Sequence, residues 1–394
     1  MLTAEENEVF VRVGPGTPAG ELLRRYWHPI AVAQELTDEQ PTKFLRVLAE
    51  DLVLFKDKRG RVGLLADHCA HRGASLLYGR VEERGIACAY HGWLYDTGGN
   101  CLECPAEPAG SMFHLTVKHR AYPVQKVIGL YWAYLGPDPA PVIPHFDIWF
   151  RKDGRRRVVV HPRVDCNWFQ TMENAVDPAH LPILHQELAG GRERVVTGSG
   201  GFTNQVDHTD LDPFPYGIMK KRVYKSGLID EHPMIFPTVT RVNNSSEIRV
   251  PIDDTHTMNF EPFFYPTPDG SEVEEEDPAV VYLPAFKNPP DALHPFTRFR
   301  WDMVSAQDTA AWETQGPIAD RTLHRLASAD RGIVMLREMV KENIERVQQG
   351  LDPLGVVRDP DHAIIDTNLT HGLEYMRQRG SAQLDYERAV SRPY

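Results

Sequence analysis

Several features are missing from this sequence of 394 residues, and each absence excludes a class of protein. No apolar stretch approaches the roughly 18 to 20 residues of a membrane span, and the N-terminus lacks the basic and apolar regions of a secretory signal. No long basic run offers a phosphate-binding surface, and the formal net charge is -12. We therefore expect a soluble cytoplasmic protein that binds neither membranes nor nucleic acids.

Cysteine is also scarce, since the chain contains five. Cys69, Cys88, Cys101 and Cys104 lie close together, while Cys166 stands apart. An odd, clustered set in a reducing compartment favours metal or redox chemistry over structural disulfides. The chain is long enough for two or three domains with large cores, which excludes a small scaffold held by disulfides.

The pattern along the chain divides it into three parts. Thr17 and Pro18 predict the N-cap and first residue of a helix that packs on a larger body. Short β-rich runs separated by turn residues follow, and the Pro-rich stretch from Gly136 to Asp147 predicts a linker. The expected units are an N-terminal helical segment in residues 1–40, a small β domain in residues 41–147 and a second domain in residues 148–394.

The second domain mixes helices and strands, so the expected fold class is α+β. Cys166 to His185 predicts a helix, and the acidic tract in residues 271–278 predicts a solvated loop. Strands of an antiparallel sheet are expected in residues 218–225, 247–265 and 279–283. A C-terminal amphipathic helix ending at Gly350 is predicted by an apolar stripe through Ile333, Leu336, Met339, Val340, Ile344 and Val347.

The first candidate metal site combines a C-x-H with a C-x-x-H motif. Its residues are Cys69, His71, Cys88 and His91, with sixteen residues between the two motifs. Two thiolates can bind one iron of a [2Fe–2S] cluster and two imidazoles the other. Gly73 and Gly92 allow tight loops whose N–H groups approach the sulfides. A Cys₂His₂ zinc site is the alternative, but zinc fingers usually pair Cys with Cys and His with His, whereas each pair here is mixed.

The paired motifs resemble the Rieske [2Fe–2S] domain. Ala74 and Tyr90 stand where high-potential Rieske proteins carry two further cysteines, so the resemblance implies the low-potential type that feeds oxygenases. Cys101 and Cys104 form a C-x-x-C, which we interpret as two ordinary thiols in a loop. A redox pair or half of a zinc site is the alternative interpretation.

The second candidate metal site is the pattern N-x-x-D-x-x-H-x-x-x-x-H, formed by Asn174, Asp177, His180 and His185. Asp177 and His180 share a helical face, so the carboxylate can approach the outer imidazole nitrogen. His180 and His185 are about 140° apart on an ideal helix, so both reach one metal only if the helix is distorted, for which Pro182 supplies a reason. Two His and one carboxylate leave positions on iron open for dioxygen. We nominate Asp308 as the carboxylate, with Glu313 and Asp302 as alternatives.

Together the two motifs resemble the catalytic α subunit of Rieske non-haem iron oxygenases, and the segments QGPIADRT and DRGIVMLREM resemble its phthalate 4,5-dioxygenase group. The resemblance implies a Rieske domain followed by a helix-grip (START-like) catalytic domain with an antiparallel sheet. It implies a [2Fe–2S] cluster on the four Cys and His ligands and a mononuclear Fe(II) on His180, His185 and Asp308. Asp177, with Asn174 beside it, would link this iron to His91 of a neighbouring subunit in a homotrimer or stacked trimers.

The resemblance further implies an aromatic ring-hydroxylating dioxygenase that uses O₂ and receives electrons from NADH. A separate reductase, with flavin and ferredoxin-type centres among its possible cofactors, would supply them. The expected substrate is a small aromatic carboxylate, like phthalate, phenoxybenzoate or chlorobenzoate. Oxidative O- or N-dealkylation at the same iron is the alternative reaction. Outside the oxygenases, the alternatives are an electron carrier and a zinc-stabilised binding protein.

Basic residues are the candidate anchors for a substrate carboxylate. Arg241 and Arg249 are nominated, together with Lys220, Lys221 and Arg222. Residues 201–205, 216–224 and 260–266 are expected to form an apolar, aromatic-rich pocket.

Overall fold

The computed structural model describes residues 2–187, 206–275, 277–283, 286–293, 297–301 and 303–379. The helices are α1 (Ala4–Val11), α2 (Pro18–Leu23), α3 (Asp147–Phe150), α4 (Trp168–Ala175), α5 (His180–Pro182), α6 (Val304–Glu313), α7 (Arg331–Gln348) and α8 (Leu369–Arg379). A π-helical turn at Ile183–Glu187 follows α5. Within the described ranges, no helix has the length and apolarity needed to cross a membrane.

Within the described residues the strands form five sheets. Those of the N-terminal half are β1 (Trp27–Val32), β2 (Thr42–Val47), β3 (Glu50–Lys56), β4 (Val62–Ala66), β5 (Arg80–Glu82), β6 (Gly85–Ala87), β7 (Leu94–Tyr95), β8 (Cys101–Glu103), β9 (Ala121–Tyr122), β10 (Val124–Val127) and β11 (Leu130–Tyr134). Those of the C-terminal half are β12 (Gly154–Val164), β13 (Val206–Phe214), β14 (Gly217–Tyr224), β15 (Ile229–Ile235), β16 (Val239–Val242), β17 (Ser245–Asp253), β18 (His256–Pro266), β19 (Ala279–Tyr282), β20 (Lys287–Asn288) and β21 (Arg298–Phe299). The fold is mixed α+β.

The N-terminal segment contributes both helices and a strand. Thr17 caps α2 by accepting a hydrogen bond from the Gly20 N–H, and Pro18 lies in the first turn. The Phe10 ring of α1 lies 5.2 Å from the Phe169 ring of α4. β1 then pairs with β11 in a three-stranded sheet of order β1-β11-β10. The segment thus ties the two halves of the chain together.

Two further sheets, of order β2-β3-β4-β9 and β5-β6-β7-β8, complete the N-terminal half. A small separate core lies here, with Phe55, Leu65, Leu76, Ile86 and Tyr95 packed around the cysteine side chains. The main core is much larger and joins the N-terminal helices, β11, the large sheet and α7. The first candidate metal site therefore has a hydrophobic core of its own.

An eight-stranded sheet of order β13-β14-β15-β16-β17-β18-β12-β19 dominates the C-terminal half. It is antiparallel except at its edge, where β19 runs parallel to β12, so the fully antiparallel expectation is corrected there. The acidic tract carries the chain from the end of β18 across the start of β12. Its Glu275 is not simply solvated, because it bonds the Arg156 guanidinium at 3.0 Å.

The faces of this sheet differ because side chains alternate along a strand. Val158, Val160, Ile248 and Phe260 point into the main core. The residues between them point towards α6. At the C-terminus, the apolar stripe of α7 packs into the main core and Gly350 follows with φ of +75°, which confirms the predicted helix and its end.

Two candidate metal centres

Two loops with the same backbone pattern carry the four predicted cluster ligands. Cys69 N–H donates to the carbonyl five residues further on, and Gly73 N–H donates back to the Cys69 carbonyl, at 2.9 and 2.8 Å. Cys88 and Gly92 repeat both bonds, each at 2.9 Å. The φ angles of Gly73 and Gly92 are +74° and +73°, a conformation that strains other residues. The two loops are therefore near copies of each other.

The side chains of these loops converge. The rings of His71 and His91 lie 4.6 Å apart, and His71 stacks on Trp93 at 4.4 Å. In the part of the chain that the structure describes, the buried His71 Nδ1 atom has no hydrogen-bond partner. Cys69 and Cys88 are buried free thiols, and Cys69 Sγ lies 3.2 Å from the Tyr95 hydroxyl. Two paired loops that gather two thiols, two imidazoles and an unsatisfied ring nitrogen fit a Rieske-type [2Fe–2S] cluster.

Cys101 and Cys104 lie nearby in the same small core. Their sulfur atoms are 3.6 Å apart, well beyond the roughly 2.05 Å of a disulfide bond. Burial raises the pKa of Cys101 to about 12 and also raises the pKa of Cys104. Both are therefore protonated thiols at neutral pH, and their interpretation as ordinary thiols stays a prediction.

The segment that carries the second motif is not one helix, in contrast to the expectation for Cys166 to His185. Asn167 caps α4, which ends at Ala175, and Pro178 interrupts the chain before α5. The π-helical turn at Ile183–Glu187 follows directly. Residues five apart come onto one face in a π-helical turn, so the predicted distortion that lets His180 and His185 approach one point is present.

The structure brings His180, His185 and Asp308 together. His180 Nε2 lies 3.8 Å and His185 Nε2 lies 3.4 Å from Asp308 Oδ1. One ligand atom from each residue lies within 4.8 Å of the others. Two imidazoles and a carboxylate around one point form the facial arrangement that non-haem Fe(II) oxygenases use. The residues present therefore fit a mononuclear iron.

The outer nitrogen of each imidazole faces a defined partner. His185 Nδ1 lies 2.8 Å from Gln307 Oε1, and Gln307 Nε2 donates to the Trp301 carbonyl at 2.7 Å. Because the amide nitrogen is committed to a carbonyl, its oxygen accepts the His185 Nδ1 proton. His180 Nδ1 faces Asp177 Oδ2 at 3.5 Å. Both Nε2 atoms are thereby left as potential metal ligands.

One further amide, that of Asn174, and one further carboxylate, that of Asp177, border this triad. Asn174 Nδ2 lies 3.5 Å from Asp308 Oδ1, and Asp177 accepts the Ala179 N–H at 2.7 Å. Burial raises the pKa of Asp308, but its hydrogen bond to His185 and the nearby positive charges outweigh this and leave the pKa below its usual value. The pKa of Asp177 is lowered for the same reasons, with His180 as its partner. Both carboxylates are therefore ionised at neutral pH and favour a cation between the imidazoles.

The competing carboxylates are placed differently. Glu313 lies five residues after Asp308 on α6, on another side of the helix. Its oxygens bond the Asp165 N–H at 2.9 Å and Lys287 Nζ at 2.5 Å. Asp302 lies outside the described residues.

A cavity lies beside Asp308, between α6 and the large sheet. Its lining residues are Val159, His161, Glu247, Asn259, Glu261, Leu283, Phe286, Ser305, Asp308, Thr309 and Trp312. This wall is more polar than the expected aromatic-rich pocket. Strand alternation explains the difference, because Phe260 and Phe264 point into the main core while Glu261 points into the cavity.

The basic candidates divide between the two faces of the sheet. Arg241 lies on the main-core side, with its guanidinium bonded to Thr367 Oγ1 at 3.0 Å and the Ser245 carbonyl at 2.5 Å. It does not face the cavity, so a substrate anchor must come from another side chain. Arg249 lies on the cavity side, over the Trp312 ring, but it is bonded to Glu247 at 2.6 Å.

Lys220 and Arg222 also lie on the cavity side, whereas Lys221 lies on the other face and pairs with Glu231. Arg222 pairs with Asp230 at 2.8 Å. Lys220 is 4% exposed, and within the described chain it has no ion pair. Burial lowers the pKa of Lys220 to about 7, with repulsion from Arg222 as the next cause.

Sequence reasoning missed Gln307 and the polar cavity residues His161, Asn259 and Glu261. The period-2 pattern of β17 and β18 carried a signal for the last two, because it places polar residues between core residues. Nothing in the sequence indicates which face of the sheet meets α6. The candidate pocket segment in residues 201–205 lies outside the described residues.

Two known families match parts of this chain. The Rieske [2Fe-2S] domain matches residues 26–124, and the family described as LigXa C-terminal domain like matches residues 298–369. The first range includes all four predicted cluster ligands, and the second includes Asp308.

Similar proteins extend over most of the chain. The 5,5'-dehydrodivanillate O-demethylase oxygenase subunit of Sphingobium sp. (strain NBRC 103272 / SYK-6) is 36% identical, over 91% of this chain and 84% of that protein. The phthalate 4,5-dioxygenase oxygenase subunit of Pseudomonas putida is 32% identical, over 90% and 89%. The solved structure of NdmA from Pseudomonas putida CBB5 has the same fold, with a TM-score of 0.59 at 24% identity over 87% of this chain and 98% of that one.

Proposed function

This chain belongs to the Rieske non-haem iron oxygenases, which use a [2Fe–2S] cluster and a mononuclear iron, and we propose that it oxidises a small aromatic carboxylate with O₂. The observation that carries the proposal is the triad of His180, His185 and Asp308, of which Asp308 lines a cavity. Iron bound there supplies oxygen activation beside the substrate. The cluster would be held by Cys69, His71, Cys88 and His91.

The protein residues have distinct tasks in this proposal. Gln307 and Asp177 orient the two imidazoles through their Nδ1 atoms, and Asn174 orients the Asp308 carboxylate. The apolar side of the cavity, with Leu283 and Phe286, packs against an aromatic ring and excludes water from it.

Lys220 is our candidate for the carboxylate anchor. It is buried on the cavity side of the sheet, and the neighbouring cations Arg222 and Arg249 are already paired with Asp230 and Glu247. Because Lys220 is buried and has no ion pair within the described residues, its ammonium form gains most from a substrate anion, which offsets the cost of burying the charge. Arg249 then contributes to binding of the substrate carboxylate through its positive charge, and its contact with the Trp312 ring holds it in place.

Oxidative O-demethylation is the second candidate reaction. It is favoured by the 36% identity to a 5,5'-dehydrodivanillate O-demethylase oxygenase subunit. Ring dihydroxylation is favoured by the 32% identity to a phthalate 4,5-dioxygenase oxygenase subunit. The same metal ligands would serve both reactions, so the orientation in which the cavity holds the substrate beside the triad would decide between them.

Enzymes of this family take electrons from a reductase or ferredoxin partner, and this chain depends on such a partner. We infer an NADH-dependent reductase and a head-to-tail homotrimer, in which His91 of one subunit approaches Asp177 of the next. Exposed apolar side chains next to the cluster loops support a contact there: Tyr90, Met112, Phe113 and Leu115. Cys101, Cys104 and Cys166, which lie outside the proposed cluster ligands, are free thiols, and this supports a reducing, cytoplasmic compartment.

The test measures iron content and oxidation products together. The purified protein should contain about three irons per chain, two in the cluster and one mononuclear. With NADH and a phthalate-type reductase, it is offered phthalate, 3-chlorobenzoate, 3-phenoxybenzoate and 3-methoxybenzoate under labelled O₂. A labelled diol indicates dioxygenation, and formaldehyde indicates demethylation. Absence of substrate oxidation across the panel, in protein with full iron content, contradicts the proposed function.

A further inference from the structure

The polar wall of the cavity holds hydrogen-bonding groups that the metal site does not use. His161 on β12 lines the cavity, is 7% exposed and has no hydrogen bond within the described chain. Its cross-strand neighbour on β18 is Asn259, whose Oδ1 atom is buried and has no hydrogen-bond partner among the described residues. Buried polar groups in proteins are nearly always hydrogen-bonded. An unsatisfied amide oxygen beside an imidazole that makes no hydrogen bond in the described chain, both bordering one cavity, therefore indicates a polar ligand group between them.

Glu261 is the third polar group of this wall. Counting from the neighbouring pairs Ser245–Phe263 and Ile248–Phe260, Glu261 lies directly opposite Glu247 on the adjacent strand. Two carboxylates in this position repel each other. Glu247 is already bonded to the Arg249 guanidinium at 2.6 Å, whereas Glu261 has no ion pair within the described residues, so Glu261 is the carboxyl that favours its neutral form. Burial raises the pKa of Glu261 to about 8, and the charge of Glu247 adds to this effect.

The same wall carries no formal charge at these three positions. Burial lowers the pKa of His161 to about 4, so its imidazole is neutral, and Asn259 is an amide. A neutral carboxylic acid and a neutral imidazole donate hydrogen bonds but attract neither an anion nor a cation strongly. The group that suits this wall is an uncharged oxygen.

We propose that His161, Asn259 and Glu261 form a subsite for a neutral oxygen substituent on the aromatic ring of the substrate, where an ether or hydroxyl accepts a hydrogen bond from Glu261 or His161 and a hydroxyl can also donate one to Asn259 Oδ1. The inference rests on the proposed function, because it assumes that the ring lies in the cavity beside Asp308. The substrate class is thereby narrowed to alkoxy- or hydroxy-substituted aromatic carboxylates. The carboxylate is bound by Lys220 on β14, and the oxygen substituent is bound at this subsite on β12 and β18, on the same face of the sheet.

The test compares two ligands that differ in one atom. The dissociation constants of 3-methoxybenzoate and 3-ethylbenzoate are measured by titration calorimetry on the iron-loaded protein, without turnover. The ether oxygen accepts a hydrogen bond and the matching methylene does not, so the wild type should bind the methoxy ligand about tenfold more tightly. Glu261→Gln keeps a neutral donor of the same shape and should retain most of this preference. Glu261→Leu should reduce it to within about twofold.

The pH dependence provides an independent measurement that does not need the Leu variant to fold. The titratable and charged groups next to Glu261 are Glu247 and Arg249 from β17, while His161 from β12 and Asp308 from α6 line the same cavity. Glu261 is neutral below its raised pKa and loses its proton above it, so the wild-type preference should fall as the pH rises past about 8. In Glu261→Gln the preference should stay constant, and any change in Lys220 affects both proteins equally.

The outcomes separate this subsite from the proposed function. Equal binding of both ligands by the wild type, a full preference in Glu261→Leu, or the same pH dependence in Glu261→Gln each overturns the subsite. The proposed function is tested by product formation alone, and it fails only if the wild type oxidises none of the aromatic carboxylates. An enzyme that oxidises phthalate yet binds the two probes equally would keep the function and refute the subsite.

Discussion

Replacing Glu173 by Gln should destabilise the protein more than removal of any exposed carboxylate. Glu173 lies on α4, directly before Asn174, and both of its oxygens are bonded to buried guanidinium groups. Arg321 donates from Nε at 3.0 Å, and Arg337 donates from Nε at 2.9 Å and Nη2 at 2.6 Å. Arg321 is fully buried and Arg337 is 6% exposed. Removing the carboxylate charge therefore leaves two buried cations without their counterion.

The size of the effect follows from this geometry. Breaking a buried ion pair by removing one partner costs about 3 to 5 kcal/mol, because the remaining charge is neither hydrated nor paired. With an unfolding entropy of about 2 cal/mol/K per residue, a chain of this length has an entropy of roughly 0.8 kcal/mol/K. A loss of about 4 kcal/mol thus lowers the Tm by about 5 °C.

The assay is thermal unfolding of iron-loaded protein at neutral pH, with Glu8→Gln as the matched control. Glu8 pairs with Arg12 four residues away, but both side chains are largely exposed, so its loss should cost less than about 1 kcal/mol. Burial raises the pKa of Glu173, but both arginines outweigh it and the net pKa is lowered. Its stabilisation is therefore present above pH 4.5 and is lost as the pH falls through the lowered pKa, where the gap between wild type and variant should close. Equal Tm losses in Glu173→Gln and Glu8→Gln would refute the reasoning.

Three further predictions concern the metal centres. Asp308→Asn should retain the two cluster irons and lose the mononuclear iron, because the triad loses its anionic ligand. Metal analysis together with the visible spectrum measures this, and three irons per chain in the variant would contradict it. Gln307→Leu should weaken mononuclear iron binding about 10- to 100-fold, since His185 loses the acceptor for its Nδ1 proton. Gln307→Glu keeps an acceptor and should retain the iron. Iron retention in the presence of a chelator distinguishes the two variants. Asp177→Asn should keep all irons and the affinity for substrate but lose nearly all turnover in reductase-coupled assays. Turnover near the wild-type rate would refute the proposed contact between Asp177 and His91 of the neighbouring subunit.

Both metal motifs could be found in the sequence because their ligands are close along the chain. The loops at Cys69–His71 and Cys88–His91 are short, and Gly73 and Gly92 complete each turn through their own backbone bonds. The break between α4 and the π-helical turn also has a local cause, since Pro178 and Pro182 cannot continue the hydrogen-bond ladder. Spacing and proline together were sufficient to predict the distortion that brings His180 and His185 to one point.

The substrate residues were harder to predict because their orientation is not local. Arg241 and Arg249 both lie in strands, and the sequence around them does not indicate which of the two faces the cavity. Pairing of β16, β17 and β18 turns Arg241 towards the main core and Arg249 towards the cavity. The cavity wall is polar for the same reason. Phe260 and Phe264 pack into the main core, so Glu261 lies on the opposite face of the sheet, towards the cavity.

The sequence by itself determined the two sets of metal-binding motifs, the α+β class and the amphipathic C-terminal helix, because each depends on residues that are near neighbours in the chain. Only the tertiary structure decided between the two carboxylates of α6, where Asp308 meets the imidazoles and Glu313 is held by Lys287. It also decided that Gln307 orients His185 and that Glu261 faces Glu247 inside the cavity. These choices depend on how distant helices and strands are rotated against each other, and that rotation is set by the packing of the whole core.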